Sequence, residues 1–151
     1  MSEKKKELIR SLKFVLFSIS AGVIQVLTFT LLEEVLPLER WLSGLVSGEV
    51  EPVVHSVANF VALVASVLWN FTLNRKFTFH SASNVPLAML LVALFYVVFT
   101  PLSTWWTAVL TGPAVGWNEY LVLALTMIVN FVTEYLYDRF IVFGKSIDTA
   151  K

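Results

Sequence analysis

Two short polar segments contain the residues best suited to bind a ligand, and each lies at the end of a long apolar run. An arginine presents a fork of N–H donors that fits a phosphate group. Amide and carboxylate groups can hydrogen-bond the hydroxyls of a sugar. Because apolar helices around these groups would accept a hydrocarbon chain, the pattern favours a lipid that carries a phosphate and a sugar. The candidate substrate-binding residues are Asn70, Asn74, Arg75 and Lys76 in the first segment and Asn130, Glu134, Asp138 and Arg139 in the second.

An internal duplication relates the two segments. When the chain is aligned on itself, Asn70 falls opposite Glu134, Asn74 opposite Asp138, Arg75 opposite Arg139 and Phe79 opposite Phe143. Two apolar runs that both end in a polar residue, an arginine and an aromatic residue predict two repeated helical hairpins. Cations at the inner edge of a membrane also serve as topology anchors. We favour that role for Lys76, and for Arg75 and Arg139 we keep both roles open.

The composition predicts an integral membrane protein. Of the 151 residues, 57% are hydrophobic and 15% are charged, and a soluble domain of this size could not bury so much apolar surface. The chain has no cysteine, which excludes disulfides, thiol catalysis and cysteine-based metal sites. His55 and His80 lie far apart in sequence, which argues against a two-histidine metal site. We therefore predict no metal, no cofactor and no nucleic-acid partner.

Four apolar runs predict four transmembrane helices, over residues 14–32, 53–73, 86–110 and 120–137. Each run is close to the ~20 residues that cross a bilayer. The predicted fold is an all-α integral membrane protein with four transmembrane helices arranged as two repeated helical hairpins and both termini in the cytoplasm. Its predicted parts are a cytoplasmic basic N-terminal segment (1–13), a four-helix membrane domain (14–143) and a cytoplasmic tail (144–151).

The positions of the charged residues predict the orientation. Every lysine and arginine except Arg40 lies in the N-terminal segment, in the loop after the second span or after the end of the fourth span. The positive-inside rule places these three regions in the cytoplasm. The predicted location of the protein is the cytoplasmic membrane. The loop 33–52 is acidic, and we interpret it as a solvated surface loop in preference to a metal or substrate site. Within it, Leu38, Trp41 and Leu42 have the spacing of a short interfacial helix.

Polar residues inside the spans share faces. Asn59, Ser66, Asn70 and Asn74 lie on one side of the second span. An amide that faces hydrocarbon leaves its polar atoms unpaired, so this side is expected to face protein or water. Glu134 is the most deeply placed ionisable residue of the fourth span, about 21 Å along the helix from its start. Before the third span, Asn84 is predicted to cap the helix.

The segment 70–79, with the sequence NFTLNRKFTF, resembles the signature of the GtrA-like family of small four-span membrane proteins. The resemblance extends from residue 14 to residue 143, and Arg139 with Val142 and Phe143 is similar to the matching end of the fourth span. It implies a role in cell-surface polysaccharide or glycoconjugate synthesis. Family members are thought to move or present polyprenyl-phosphate-linked sugars to a membrane glycosyltransferase. Glu134 departs from the amide expected at its position.

Two other functions are compatible with the residues. In the first, the chain is a proton-coupled small-molecule exporter in which Glu134 exchanges protons for a cation. In the second, it is a subunit that recruits a glycosyltransferase and moves nothing. Because the sequence contains no HExxH, GxSxG or phosphate-binding glycine loop, we predict that it is not an enzyme. Four helices of this length enclose little volume, so we expect a homo-oligomer or a partner protein.

Overall fold

The computed structural model describes residues 1–150, and these residues form helices and loops without any strand. The helices are α1 (Glu3–Thr30), α2 (Leu38–Leu42), α3 (Glu51–Leu73), α4 (Val85–Thr111) and α5 (Glu119–Tyr137). Wider π-helical turns continue three of them, with Leu31–Val35 after α1, Asn74–Thr78 after α3 and Asp138–Val142 after α5. The predicted all-α fold is confirmed, and the short helix expected in the acidic loop is present as α2.

Four helical stretches within the described residues are long and apolar enough to cross a membrane: Glu3–Val35, Glu51–Thr78, Val85–Thr111 and Glu119–Val142. They overlap the four spans expected from the sequence, and the chain is a multi-pass membrane protein. The first helix begins at Glu3, so most of the basic segment 1–13 is helical and continues directly into the span. The cytoplasmic position of both termini stays a prediction.

Asparagine side chains begin the two helices of the second half. The side chain of Asn84 accepts a hydrogen bond from the backbone N–H of Leu87 at 3.2 Å, which confirms the predicted cap of α4. Asn118 does the same for α5, accepting from the N–H groups of Tyr120 and Leu121 at 2.9 and 3.3 Å. Each cap satisfies donors that an α-helix leaves unpaired in its first turn.

The chain divides into two compact units, and the first comprises Leu12–Asn74. In this unit, polar side chains connect α1 and α3. The indole N–H of Trp69 donates to Ser20 Oγ at 3.0 Å, and Ser66 Oγ lies 3.4 Å from the Gln25 amide oxygen. Such hydrogen bonds, together with small residues, join helices in a bilayer, where no hydrophobic force holds them together.

The second unit comprises Met1–Ser11 together with the chain from Arg75 onward. In it α4 and α5 pack against each other, and the π-helical turn after α5 also contacts α4. Trp106 donates its indole N–H to Thr126 Oγ1 at 2.8 Å, and the Tyr137 hydroxyl donates to the Leu91 carbonyl at 2.9 Å. These bonds lie well apart along the hairpin, so they fix the register between the two helices.

The buried residues of α3 and of α5 follow the same spacing. Along α3 and the first residue of its π turn, every fourth residue is buried: Val54, Ala58, Ala62, Ser66, Asn70 and Asn74. Along α5 the buried residues Val122, Glu134, Asp138 and Val142 belong to an equivalent row. Asn59 lies outside the row of α3 and is exposed. A four-residue row drifts around an α-helix of 3.6 residues per turn, and the drift explains why Asn59 and Asn74 do not share a buried face.

Candidate functional site

Arg75 is a partly buried cation whose hydrogen-bonding groups are only partly satisfied. It lies in the π-helical turn after α3 and is partly buried. Its Nη2 atom donates to the Ser83 carbonyl at 3.1 Å. Its Nε atom is buried and has no hydrogen-bond partner among residues 1–150, and the same is true of the Ser83 hydroxyl. The guanidinium is therefore held on one side, while one of its buried N–H groups and the buried Ser83 hydroxyl have no hydrogen-bond partner among the described residues.

The loop after the turn folds back onto Arg75. The Ser81 N–H donates to the Arg75 carbonyl at 2.9 Å, and the Ser83 N–H donates to Ser81 Oγ at 3.1 Å. Ser81 is itself buried. Lys76, the next residue, is exposed and places its ammonium 5.2 Å from the Phe77 ring centre. The structure therefore distinguishes Arg75, which is fixed by the loop, from Lys76, which is a surface cation.

Asn70 and Asn74 form an amide pair one helical turn apart. The Asn74 side chain is fully buried, and its Nδ2 atom donates to the Asn70 amide oxygen at 2.8 Å. Ser18 Oγ, from α1, lies 3.4 Å from the same oxygen. Because a buried amide is costly unless it is hydrogen-bonded, this contact explains how two asparagines are tolerated at the end of α3 and the start of its π turn. Asn74 is the first residue of the π-helical turn that contains Arg75, and Asn70 lies one helical turn before it.

Glu134 and Asp138 form a carboxylate pair at the equivalent positions of α5. They are only 3% and 5% exposed. The Tyr96 hydroxyl donates to Glu134 Oε1 at 2.8 Å, and Asn130 Nδ2 lies 3.5 Å from Oε2. The amide oxygen of Asn130 is buried without a hydrogen-bond partner. Two buried carboxylates suit a proton or a small cation better than an anionic headgroup.

Arg139 has a different environment from Arg75, its sequence counterpart. Its Nε and Nη2 atoms donate to the Glu7 carboxylate, at 3.2 Å to Oε2 and 3.0 Å to Oε1. Arg10 Nη1 also donates to Glu7 at 2.5 Å, and the Tyr135 hydroxyl does so at 3.1 Å. Arg10 in addition pairs with Asp148 in the tail. A carboxylate from this chain therefore already neutralises the Arg139 guanidinium.

The eight predicted residues thus fall into five environments. The amide pair is Asn70 with Asn74, the carboxylate group is Asn130 with Glu134 and Asp138, Arg75 bonds Ser83, Arg139 bonds Glu7, and Lys76 is exposed. Within the second unit, the expected equivalence of the two arginines holds for their position in the turn and not for their partners. Their roles in binding stay predictions.

Five residues of these environments were not expected from the sequence: Glu7, Arg10, Ser83, Tyr96 and Tyr135. The three-residue spacing of Glu7 and Arg10 on a helix was the only usable signal, since such pairs meet on one face. Tyr96 lies in an apolar run with nothing in its neighbourhood to indicate a carboxylate partner. Its role depends on how α4 and α5 are set against each other.

The acidic loop contributes a separate cavity in the first unit. This cavity has a volume of about 470 Å³, and its lining includes three carboxylates and a histidine, namely Glu33, Glu39, Glu51 and His55. His55 Nδ1 pairs closely with Glu33. Among the described residues, no group of three or more side chains has the arrangement of a metal site. The interpretation of the loop as a solvated surface stays a prediction.

Comparison with known proteins gives one match. The family model described as GtrA/DPMS, transmembrane domain, matches residues 49–143. This stretch contains α3, α4, α5 and both of the π-helical turns that follow α3 and α5, and all eight candidate residues lie within it. Glu7 and Arg10 lie before it. No curated protein sequence and no solved structure matches the chain.

Proposed function

The chain belongs to the GtrA/DPMS transmembrane-domain family, and from that premise we propose that it binds a polyprenyl-phosphate-linked sugar and helps translocate or present it for cell-surface glycan synthesis. Membership of this family fits a membrane protein of glycoconjugate synthesis. The observation that carries the binding proposal is the partly satisfied guanidinium of Arg75. The proposed role is non-catalytic, and the proposed location is the cytoplasmic membrane with both termini inside.

The chemistry of Arg75 supports an anionic ligand. A buried N–H without a partner costs about 1–3 kcal/mol, and a phosphate oxygen would remove this cost with a charge-assisted hydrogen bond. The Ser83 hydroxyl, which is buried and unpartnered, offers a second donor beside it. Since Arg75 is already held by the Ser83 carbonyl, little side-chain freedom would be lost on binding.

Presentation of such a lipid requires an acceptor, for which we propose a membrane glycosyltransferase as partner. We also propose that the chain acts as a homo-oligomer, because four helices offer little enclosed volume for a sugar headgroup. The exposed apolar residues of α4 and α5, which include Leu90, Val97 and Leu123, provide surface for lipid tails or for neighbouring helices.

The test is a binding measurement on the purified full chain in detergent, with farnesyl phosphate as probe and farnesol as the control without phosphate. We expect Arg75→Ala to weaken farnesyl phosphate binding at least about tenfold, the loss of one charge-assisted contact. Lys76→Ala is the matched control, since it removes the adjacent exposed cation, and should change binding less than about twofold. Equal losses of farnesyl phosphate binding in both variants would show that Arg75 acts only as an unspecific surface charge and would contradict the proposal.

Arg75→Lys refines this test. A lysine keeps the charge and loses the planar fork that can bond Ser83 and a phosphate together. Partial loss of binding in Arg75→Lys would support a shaped site, and full retention would support charge alone. The consequence in cells would be loss of the surface glycan in Arg75→Ala while the protein is still inserted. Normal glycan in that variant would contradict the proposal.

A second function is favoured by one specific observation, the buried pair of Glu134 and Asp138 with the Tyr96 hydroxyl as donor. Such a pair suits proton-coupled export of a cation. In proteoliposomes with an imposed pH gradient, this function predicts ethidium transport that is lost in Glu134→Gln. Glu119→Gln removes an exposed carboxylate at the start of the same helix and should have no effect. Absence of ethidium transport in the unmodified protein removes this candidate.

A further inference from the structure

The Glu7 carboxylate is held by donors from two segments far apart in sequence. Arg139 offers Nε and Nη2, Arg10 offers Nη1 and Tyr135 offers its hydroxyl, at distances of 2.5 to 3.3 Å. Arg10 and Glu7 belong to the first turns of α1, and the other two residues lie at the end of α5 and in its π-helical turn. Four donor atoms therefore converge on one anionic group.

This donor set is more suited to a phosphate than to a carboxylate. Two guanidinium groups and a phenol carry more N–H and O–H donors than one carboxylate has acceptor sites. Guanidinium groups also match the geometry of a phosphate. The donors are also less exposed than the group they hold. The side chains of Arg10 and Arg139 are 10% and 23% exposed, and that of Glu7 is 38% exposed. Glu7 is therefore the member of this cluster that is most open to replacement by an anion from outside.

One of the donors, Arg10, has a support that does not depend on Glu7. Arg10 also pairs with Asp148, and backbone hydrogen bonds fix the tail next to this residue, from Asp148 N–H to the Phe79 carbonyl at 2.9 Å and from Ala150 N–H to the His80 carbonyl at 2.8 Å. Arg139 has no acidic partner other than Glu7 among residues 1–150. If Glu7 moved away, the Arg139 guanidinium would have no neutralising carboxylate and could pair with another anion.

We propose that Arg139, Arg10 and Tyr135 form a second binding site for a phosphate group, and that Glu7 occupies this site as an internal competitor which the phosphate displaces. The inference rests on the proposed function for its ligand class, and it adds a mode of regulation to it. Glu7 and Arg10 precede residue 49, where the family match begins, so the N-terminal helix of this chain supplies the competitor. Arg75 would bind a phosphate without displacing a carboxylate, whereas Arg139 would bind one only after Glu7 has been displaced.

Glu7→Gln tests the competition, because it removes the charge and keeps the size of the side chain. In the full chain in detergent, farnesyl phosphate should bind about fivefold tighter to Glu7→Gln than to the unmodified protein, since a neutral amide competes less well for two arginines. The matched control is Glu3→Gln. Glu3 pairs only with exposed Lys6 in the same first turns, and its replacement should change binding less than about twofold.

The gain must also depend on the proposed donors. In Glu7→Gln/Arg139→Gln, farnesyl phosphate affinity should return to that of the unmodified protein. Inorganic phosphate and farnesol serve as separate probes. If inorganic phosphate displaces farnesyl phosphate from the site, the ligand is free phosphate. If only the probe with the farnesyl chain binds, the ligand is a lipid headgroup. Unchanged or weaker binding of both phosphate probes in folded Glu7→Gln would overturn the proposal.

A second measurement needs no change at Glu7. With 3-fluorotyrosine in the unmodified chain, the fluorine resonance of Tyr135, assigned from Tyr135→Phe, should shift when farnesyl phosphate is added, while that of exposed Tyr120 should not. A Tyr135 resonance that stays unchanged at saturating probe would overturn the proposal even if Glu7→Gln fails to fold. Failure of the proposed function is recognised separately, because it leaves Arg75→Ala without effect whatever Glu7→Gln does.

Discussion

The turns that follow α3 and α5 share a geometry and differ in charge. Both helices carry a row of buried residues with a four-residue spacing, both end in a π-helical turn, and both turns have an arginine as their second residue. Near the π turns, the row of α3 contains an amide pair, Asn70 and Asn74, and the row of α5 contains a carboxylate pair, Glu134 and Asp138. Their arginines differ too, since Arg75 bonds a carbonyl and Arg139 bonds a carboxylate.

The difference shows what the duplication preserved. The helix, its buried row and the widened turn depend on where polar and apolar residues fall, and that pattern is common to both repeats. The widened π turn is a feature that often marks functional sites. The charge in the row depends on single residues and on what packs against them, and there the repeats have diverged. We infer that the repeats diverged in charge: the first has an arginine bonded to a carbonyl, and the second has two buried acids.

The most disruptive change would give the first repeat the charge of the second. Asn74→Asp places a carboxylate at a position with no exposure, removes the N–H that donates to Asn70 and sets two acceptors against each other. We expect a loss of about 2–4 kcal/mol in unfolding free energy at neutral pH, measured by thermal unfolding in detergent.

Ser47→Asp is the control for this change, because it places a carboxylate at an exposed loop position outside the four spans. It should alter stability by less than about 0.5 kcal/mol. A stability for Asn74→Asp close to that of the control would show that the first turn tolerates a buried acid as well as the second does. The contrast between the two repeats would then have no energetic basis.

A smaller effect is expected from weakening the support of the acidic pair. Tyr96→Phe removes the hydroxyl that donates to Glu134 at 2.8 Å and keeps the ring. Leaving a buried carboxylate oxygen without this donor should cost about 1–2 kcal/mol, again by thermal unfolding in detergent. Tyr120→Phe, at a residue that is 79% exposed, should leave stability unchanged. An unaffected Tyr96→Phe would mean that Glu134 does not depend on α4.

The smallest effect should separate the two arginines. Arg139→Gln removes one of the partners of Glu7, and because this ion pair is partly exposed its loss should cost about 1 kcal/mol or less. Arg75→Gln removes only one hydrogen bond to a carbonyl and should cost about 0.5 kcal/mol. Unfolding midpoints of the two variants, measured side by side in detergent, test this order. A larger loss for Arg75→Gln would show that Arg75 has the structural role and Arg139 the open one.

The sequence alone determined the class of the fold. Four apolar runs of bilayer length, the short helix in the acidic loop, the Asn84 cap and the alignment of Arg75 with Arg139 can all be predicted, because each depends on local spacing or on composition. The same spacing predicts that Asn70 and Asn74 are buried. It does not predict that Asn59 is exposed, because the side of α3 that is covered at that height depends on what packs against the helix.

The tertiary structure decided which polar groups are paired. That Arg139 bonds Glu7, that Tyr96 donates to Glu134 and that the Ser83 carbonyl holds Arg75 follow from contacts between segments, two of them distant in sequence. Two arginines at equivalent positions of a repeat have the same local sequence signal. The charge that each meets is set by the segments packed around it, and only the folded chain brings those segments together.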